Sequence, residues 1–199
     1  MKSKLSNEPN PFVNSLFFCA PSRLILDAGA INRVAALCAK QRWKNALVVT
    51  DSFFSQKSKV VEILKTSLDA CSIDVVVFDG GEPDPSTSLC DHATAVLQAI
   101  TTKRGVSFDH VIALGGGSNI DLAKALSVTL AFKAPIAEFI GHSNWPGKPI
   151  PLVAIPTTSG TGSEITPEAI LIDPLKSTKV AVMKSNDIAI CSSVGGIVF

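Results

Sequence analysis

The chain has 199 residues, a formal net charge of +1 and a hydrophobic content of 46%. This length is enough for one or two domains with a complete hydrophobic core. Because the Lys and Arg residues are scattered and no apolar run approaches the roughly 18 residues of a spanning helix, we expect neither a nucleic acid nor a membrane as a partner.

The cysteines are odd in number, widely spaced and without a C-x-x-C pair. Such a set predicts reduced thiols rather than a disulfide framework. Near the N-terminus, the apolar segment 16–20 is too short for the core of a signal peptide. We therefore expect a cytoplasmic protein with free thiols at Cys19, Cys38, Cys71, Cys90 and Cys191.

Apolar strands and amphipathic helices alternate along the chain after a polar, proline-bearing segment, residues 1–14, which we expect to be a loose arm. Glycines and prolines at 80–85 predict a turn. The alternation predicts an α/β fold, a Rossmann-like doubly wound parallel sheet with helices on both faces, over residues 15–187. Strands are predicted at 24–26, 45–50, 73–78 and 111–114, and helices at 30–40, 55–70 and 86–102.

The stretch VIALGGGSNIDLAK, residues 111–124, contains three consecutive glycines between a predicted strand and a predicted helix. Ser118 and Asp121 form an S-x-x-D pattern, which predicts that Ser118 is the N-cap of the helix. The N–H groups and the dipole of a helix start after such a turn suit a phosphate, although a tight turn without a ligand has the same pattern. The spacing fits neither G-x-G-x-x-G, because position 120 is Ile120, nor a Walker A loop.

The stretch PTTSGTGSE, residues 156–164, follows an apolar run that predicts a buried strand. It is either a polar surface loop or a set of hydroxyl groups that hydrogen-bond a ribose or a pyrophosphate. The hydroxyl side chains available for that purpose are Thr157, Thr158, Thr161 and Ser163.

Three segments are predicted to meet at the carboxyl ends of the parallel strands, where open α/β sheets bind their ligands. They are Asp51 after the strand ending at residue 50, residues 115–118 after the strand ending at residue 114, and residues 157–161 after the strand ending at residue 155. Asp51 is either a helix cap or an acceptor for a ribose hydroxyl. In the second role it would repel a 2′-phosphate and favour NAD over NADP.

After the threonine-rich stretch, residues 156–164, the sequence predicts a β-hairpin. Its strands are expected at 169–172 and 179–183, with a turn around residues 173–174. The histidines are His92, His110 and His142, which have no metal-ligand spacing. His142 lies in a turn-rich loop, where a lone histidine is usually exposed to solvent.

Several of these motifs together resemble the iron-containing (group III) alcohol dehydrogenase family. They are GGGSNIDLAK, PTTSGTGSEIT, the start RLILDAGAI at 23–31 and the loop GGEPDP at 80–85, and the resemblance covers roughly residues 17–187. Glycerol dehydrogenases and dehydroquinate synthases share the glycine stretch, but the threonine-rich stretch favours the alcohol dehydrogenase branch.

The resemblance implies an oxidoreductase that interconverts an alcohol and an aldehyde or ketone with NAD(H), on a small-molecule substrate and as a possible homodimer. It places Lys179 where the family has a lysine that contacts the cofactor, although a solvated hairpin lysine fits the sequence equally well. The resemblance and the residue chemistry together give the expected cofactor-binding residues: Asp51, Gly116, Gly117, Ser118, Asp121, Thr157, Thr158, Thr161, Ser163 and Lys179.

By the same resemblance, family members bind Fe²⁺ or Zn²⁺ through one aspartate and three histidines of a C-terminal helical domain. We expect that domain to be absent here, so no metal ligand and no catalytic residue is assigned, and residues 188–199 are predicted to be a divergent tail. A truncated enzyme with little activity of its own is therefore expected. The alternatives are a non-catalytic nucleotide-binding fragment, or an enzyme resembling glycerol dehydrogenase or dehydroquinate synthase.

Overall fold

A computed structural model describes residues 25–26, 28–141, 145–182 and 197–198. The strands are β1 Ile25–Leu26, β2 Asn45–Asp51, β3 Asp74–Gly81, β4 His110–Gly115, β5 Leu152–Pro156, β6 Ala169–Asp173, β7 Thr178–Val182 and β8 Ile197–Val198. The α-helices are α1 Val34–Lys40, α2 Ser52–Gln56, α3 Val60–Ala70, α4 Thr87–Arg104 and α5 Gly117–Phe132, and short 3-10 helices span Ala30–Arg33 and Ile136–Phe139. Within the described ranges, no helix is both long enough and apolar enough to cross a membrane.

The main sheet is parallel and has the strand order β3-β2-β4-β5. After β2 the chain moves outward to β3, and it then returns to the other side of β2 to form β4. The direction of winding therefore reverses between β2 and β4, which is the point where ligands bind in open α/β sheets. This arrangement confirms the predicted Rossmann-like doubly wound sheet.

Both faces of the sheet are covered because successive side chains of a strand point to opposite sides. On one face, Ile112 and Val153 pack with the buried residues of α1 and α3. On the other face, Ala113 and Ala154 pack with α4, α5 and the hairpin formed by β6 and β7. Two buried layers of apolar side chains result, as the predicted alternation of strands and helices requires.

Helix α5 is the most enclosed element, since every residue from Asn119 to Thr129 is buried. The sheet covers one side of this helix, and α4 and β6 cover others. A helix that is buried on all sides shows no amphipathic stripe, so its polar residues must find partners inside the protein.

Some predicted boundaries differ from the structure. The predicted helix at 55–70 is two helices, α2 and α3, separated by residues 57–59. The first helix, α2, begins earlier than predicted because Asp51 caps it. Before α3, the Ser58 hydroxyl accepts a hydrogen bond from the N–H of Val60 at 3.2 Å, which forms the turn between the two helices. Gly80 and Gly81, predicted to lie in a turn, continue β3 instead.

The hairpin prediction is confirmed by the antiparallel pair β6 and β7. A separate two-residue parallel pair joins β1 to β8. The predicted arm, residues 1–14, lies outside the described residues, as do residues 188–196 of the predicted tail and His142.

Lys124 is the largest polar side chain inside the protein, with no exposed surface. Its ammonium donates hydrogen bonds to the carbonyl oxygens of Thr166 (2.9 Å) and Glu168 (2.6 Å) and lies 3.6 Å from a carboxylate oxygen of Asp121. Burial raises the pKa of Asp121, although the charge of Lys124 opposes this effect. The lysine therefore anchors the segment before β6 to the buried helix α5.

His110, at the opposite end of the sheet from the strand carboxyl ends, is also fully buried. Its Nδ1 lies 2.6 Å from Asp109, and its ring stacks on Trp43 with centroids 4.8 Å apart. Burial lowers the pKa of His110 below its ordinary value, and the hydrogen bond and charge of Asp109 offset this only in part. The imidazole therefore binds a proton less readily in the folded state than in the unfolded chain.

We predict that Lys124→Met lowers the free energy of unfolding by about 2–4 kcal/mol, because it leaves buried carbonyl oxygens and Asp121 without their ammonium partner. Lys176→Met is the matched control: Lys176 also pairs with an aspartate three residues earlier, at 3.3 Å, but its side chain is 74% exposed. Urea unfolding of both variants is the measurement. Equal losses in the two variants would contradict the anchoring role of Lys124.

We also predict that stability falls as the pH is lowered below about 6.5, the ordinary pKa of histidine, because the unfolded chain then takes up a proton that folded His110 does not. One such group gives a slope of at most about 1.4 kcal/mol per pH unit. The raised pKa of Asp121 acts in the opposite direction.

The contribution of His110 is measured by urea unfolding of the wild type and of His110→Gln from pH 7.5 to 5. It is the difference between the two proteins in how the free energy of unfolding changes with pH. The variant should lose stability less steeply than the wild type across that range. His92→Gln, on the exposed surface of α4, controls for the substitution itself. Parallel curves for the wild type and His110→Gln would refute the prediction.

Candidate functional site

A cleft of about 540 Å³ opens at the carboxyl ends of β2 and β4, the position where the winding of the sheet reverses. Its walls are the start of α2, the end of β3 with the loop that follows, the start of α5, and part of the threonine-rich stretch. The lining residues are Asp51, Ser52, Phe53, Gly81, Glu82, Pro83, Gly116, Gly117, Ser118, Asn119, Thr158 and Thr161.

The glycine turn, residues 115–117, places the start of α5 at this cleft. Gly115 has φ 136°, a conformation that disfavours any residue with a side chain, and Gly116 is the N-cap in an extended conformation. The first intrahelical hydrogen bond runs from the N–H of Ile120 to the carbonyl of Gly116 at 3.1 Å. The N–H groups of Gly117, Ser118 and Asn119 precede it and have no partner within the helix, which suits an anion.

The predicted N-cap at Ser118 is wrong, because α5 begins two residues earlier than that prediction requires. Ser118 is the second residue of the helix, and its hydroxyl accepts a hydrogen bond from the N–H of Asp84 at 3.2 Å. Asp121 takes no part in a capping box. It is buried toward Lys124 and Ser163 and lies outside the cleft lining.

The threonine-rich stretch packs directly onto the glycine turn. The N–H of Thr157 donates to the carbonyl of Gly115 at 3.0 Å, which extends the pairing of β4 with β5. A Cβ on Gly117 would lie 3.0 Å from Thr161 Cβ and from Ser163 Oγ, so the glycine permits the close approach. Thr158 and Thr161 line the cleft, whereas Ser163 is buried behind it.

Asp51 ends β2 and begins α2. Its Oδ1 accepts hydrogen bonds from the N–H groups of Phe53 (2.9 Å) and Phe54 (3.3 Å), and its Oδ2 accepts one from Nδ2 of Asn119 (2.7 Å). The helix cap considered for Asp51 is therefore present in the structure. The carboxylate also lines the cleft, and its role as a ribose acceptor stays a prediction.

Lys179 lies on β7 with an exposed side chain, outside the cleft lining. Its ammonium lies 3.1 Å from Oδ1 of Asp84, the same residue whose N–H bonds to Ser118. The hairpin is thus connected through Asp84 to the start of α5. Contact between Lys179 and a cofactor stays a prediction.

Asn119 and Gly81 belong to the site but were not predicted from the sequence. Asn119 is 3% exposed and crosses from α5 to Asp51, 68 positions earlier. A Cβ on Gly81 would lie 2.6 Å from the carbonyl oxygen of Thr50 and closer still to Oδ1 of Asn119. The one available signal for Asn119 was a polar residue in a helix otherwise rich in apolar residues. That signal does not identify Asp51 as its hydrogen-bond partner.

A second cleft, of about 530 Å³, lies near the C-terminal ends of α4 and α5, with Thr101, Gly105 and Lys133 among its lining residues. Helix C-termini present carbonyl groups and the negative end of the dipole, so this cleft is poorly suited to phosphate.

The candidate metal ligands and thiols that the structure describes lie within residues 25–26, 28–141, 145–182 and 197–198. In these ranges, no three His, Cys, Asp or Glu side chains are grouped so that they could hold a metal ion. Burial raises the pKa of Cys38 and of Cys90 to about 12, so neither thiol is a nucleophile at neutral pH.

Comparison with known proteins gives a consistent result. The family model described as iron-containing alcohol dehydrogenase matches residues 21–193. The NAD-dependent methanol dehydrogenase of Bacillus methanolicus is 31% identical over 166 residues, which cover 83% of this chain and 42% of that protein.

Among solved structures, an iron-containing alcohol dehydrogenase from Thermotoga maritima is similar, with a TM-score of 0.74 at 31% identity, over 92% of this chain and 47% of that one. The sulfoacetaldehyde reductase of Bifidobacterium kashiwanohense, solved in complex with NAD⁺, has a TM-score of 0.76 at 24% identity, over 92% of this chain and 46% of that one, and supports the fold alone. The chain thus spans less than half the length of each of these three proteins.

We predict that Gly81→Ala lowers the free energy of unfolding by about 2–3 kcal/mol, because the new Cβ overlaps the backbone of Thr50 and the Asn119 amide. Gly116→Ala is the matched control. Its Cβ would meet Thr158 at 3.5 Å, an ordinary contact, and its φ is −75°, so a change within about 1 kcal/mol is expected. Denaturant titration compares the two variants, and a Gly81→Ala variant as stable as Gly116→Ala would exclude the tight packing described here.

Proposed function

Because the chain belongs to the iron-containing alcohol dehydrogenase family, we propose that its cleft binds NAD(H) in an enzyme that interconverts an alcohol and an aldehyde or ketone. One observation carries this proposal. The start of α5, with its N–H groups, and the Asp51 carboxylate line one cleft at the reversal point of the sheet. A dinucleotide requires this combination, an anion site for the pyrophosphate and an acceptor for a ribose.

The pyrophosphate would be held at the first turn of α5, by the N–H groups of Gly117 and Ser118. The glycine turn supports this assignment because Gly116 and Gly117 present backbone rather than side chain to the cleft. The hydroxyl groups of Thr158 and Thr161, on the adjoining wall, add hydrogen-bond donors. Thr157 and Ser163 support this wall through Gly115 and the interior of the protein.

The adenosine ribose would be bound by Asp51. A carboxylate accepts hydrogen bonds from ribose hydroxyl groups and repels a 2′-phosphate, so NAD(H) is favoured over NADP(H). When bound, the nicotinamide supplies the hydride chemistry. The residues of this chain contribute by binding and orienting the cofactor.

The family name implies iron, but the described part of this chain offers no set of side chains suited to hold it. The proposed role of this chain is therefore cofactor binding, without a step through a metal and without a catalytic residue among those described. The names of the relatives specify different substrates, methanol and sulfoacetaldehyde among them. The substrate proposed for this chain is accordingly a small alcohol, and the product is the corresponding carbonyl compound.

The test is calorimetric titration of the purified chain with NADH and with NADPH. We expect saturable binding with NADH preferred. Asp51→Asn should reduce that preference by roughly tenfold or more, because it removes the charge that opposes a 2′-phosphate while Asn still caps α2. Asp69→Asn, an equal charge change on the exposed surface of α3, is the control and should keep the preference.

Absence of binding by the wild type to either nucleotide would overturn the proposed function. Binding with NADPH preferred would overturn the role of Asp51.

A further inference from the structure

The side-chain amide of Asn119 donates one of its two N–H hydrogens to each of two acceptors. Its Nδ2 lies 2.7 Å from Oδ2 of Asp51 and 3.2 Å from the carbonyl oxygen of Leu114. A flipped amide would place its oxygen against both acceptors, so the hydrogen-bond network fixes the orientation. The Asn119 amide therefore acts as a donor to the carboxylate that lines the cleft.

Two glycines enclose this amide. A Cβ at Gly115 would overlap Nδ2 and lie 3.0 Å from Cγ of Asn119, and a Cβ at Gly81 would overlap Oδ1. Asn119 is 3% exposed, so the ends of β3 and β4 confine it and solvent does not compete for its hydrogen bonds. The donor is thus held in one place.

The carboxylate of Asp51 is consequently fixed at both oxygens. The N–H groups of Phe53 and Phe54 hold Oδ1, and Asn119 holds Oδ2. Without Asn119, only the cap would restrain the carboxylate, which could then rotate away from an incoming 2′-phosphate. A carboxylate fixed from two sides keeps its charge where it discriminates between nucleotides.

We propose that Asn119 is a positioning residue that fixes Asp51 and thereby sets the preference for a cofactor with a free ribose 2′-hydroxyl over one with a 2′-phosphate. This inference rests on the proposed function, because it concerns the same cleft. Asn119 acts through Asp51 and need not touch the nucleotide.

The primary test is Asn119→Ala in the full chain, titrated with NADH and NADPH. The ratio of the NADPH to the NADH dissociation constant should fall by roughly fivefold to tenfold, the scale of the net contribution of one typical hydrogen bond. Asn32→Ala, the same substitution on an exposed residue outside the cleft lining, should leave the ratio unchanged. A purely structural role of Asn119 would weaken both nucleotides equally, and an unchanged ratio would overturn the proposal.

A double-mutant cycle tests whether Asn119 acts through Asp51. In the Asp51→Asn background, Asn119→Ala should not change the ratio further, because the charge that Asn119 positions is gone. Additive effects of the two substitutions on the ratio would contradict the proposal. If Asn119→Ala does not fold, Asn119→Ser, which leaves a hydroxyl in the enclosed space, takes its place with the same expected direction.

The outcomes separate this inference from the function on which it rests. A wild-type chain that binds neither nucleotide overturns both. A wild-type chain that prefers NADH, combined with an Asn119→Ala variant that keeps the full preference, overturns only the role of Asn119.

Discussion

The hydrogen bond between Asn119 and Asp51 ties the first turn of a buried helix to the end of a central strand. Its geometry requires that β3 and β4 both end in a residue without a side chain, Gly81 and Gly115. The amide also binds the carbonyl of Leu114, so a single side chain sets the spacing of three chain segments at one edge of the sheet. Asn119 and both of its neighbours Asp51 and Gly81 line the cleft, so the same contacts shape its floor.

The second constraint is the burial of α5. A helix enclosed by the sheet, α4 and the hairpin must satisfy its polar side chains internally. Asn119 does so at the cleft, and Lys124 does so with the carbonyl groups of Thr166 and Glu168. The two residues lie on the same helix. Asn119 joins this helix to the end of β2, and Lys124 joins it to the segment before β6.

Local signals in the sequence were sufficient for the fold class, the hairpin and the two stretches that form the cleft. Glycine runs and apolar runs act over a few residues, so their pattern predicts the element that contains them. The N-cap was mispredicted at Ser118 because glycine, here Gly116, can begin a helix nearly as well as serine can. The contact of Asn119 with Asp51 spans 68 positions, and no local pattern encodes such a distance.

The two walls of the cleft differ in how firmly the fold holds them. Helix α2 has five residues, none of them buried, whereas α5 has a continuous buried segment of about three turns. We therefore expect amide hydrogens of α2 to exchange with solvent through local opening, and those in the middle of α5 to exchange only on global unfolding. The cleft thus combines a wall built on a buried helix with a wall that opens at little cost in buried surface, so a molecule that enters on the side of α2 need not disturb the core.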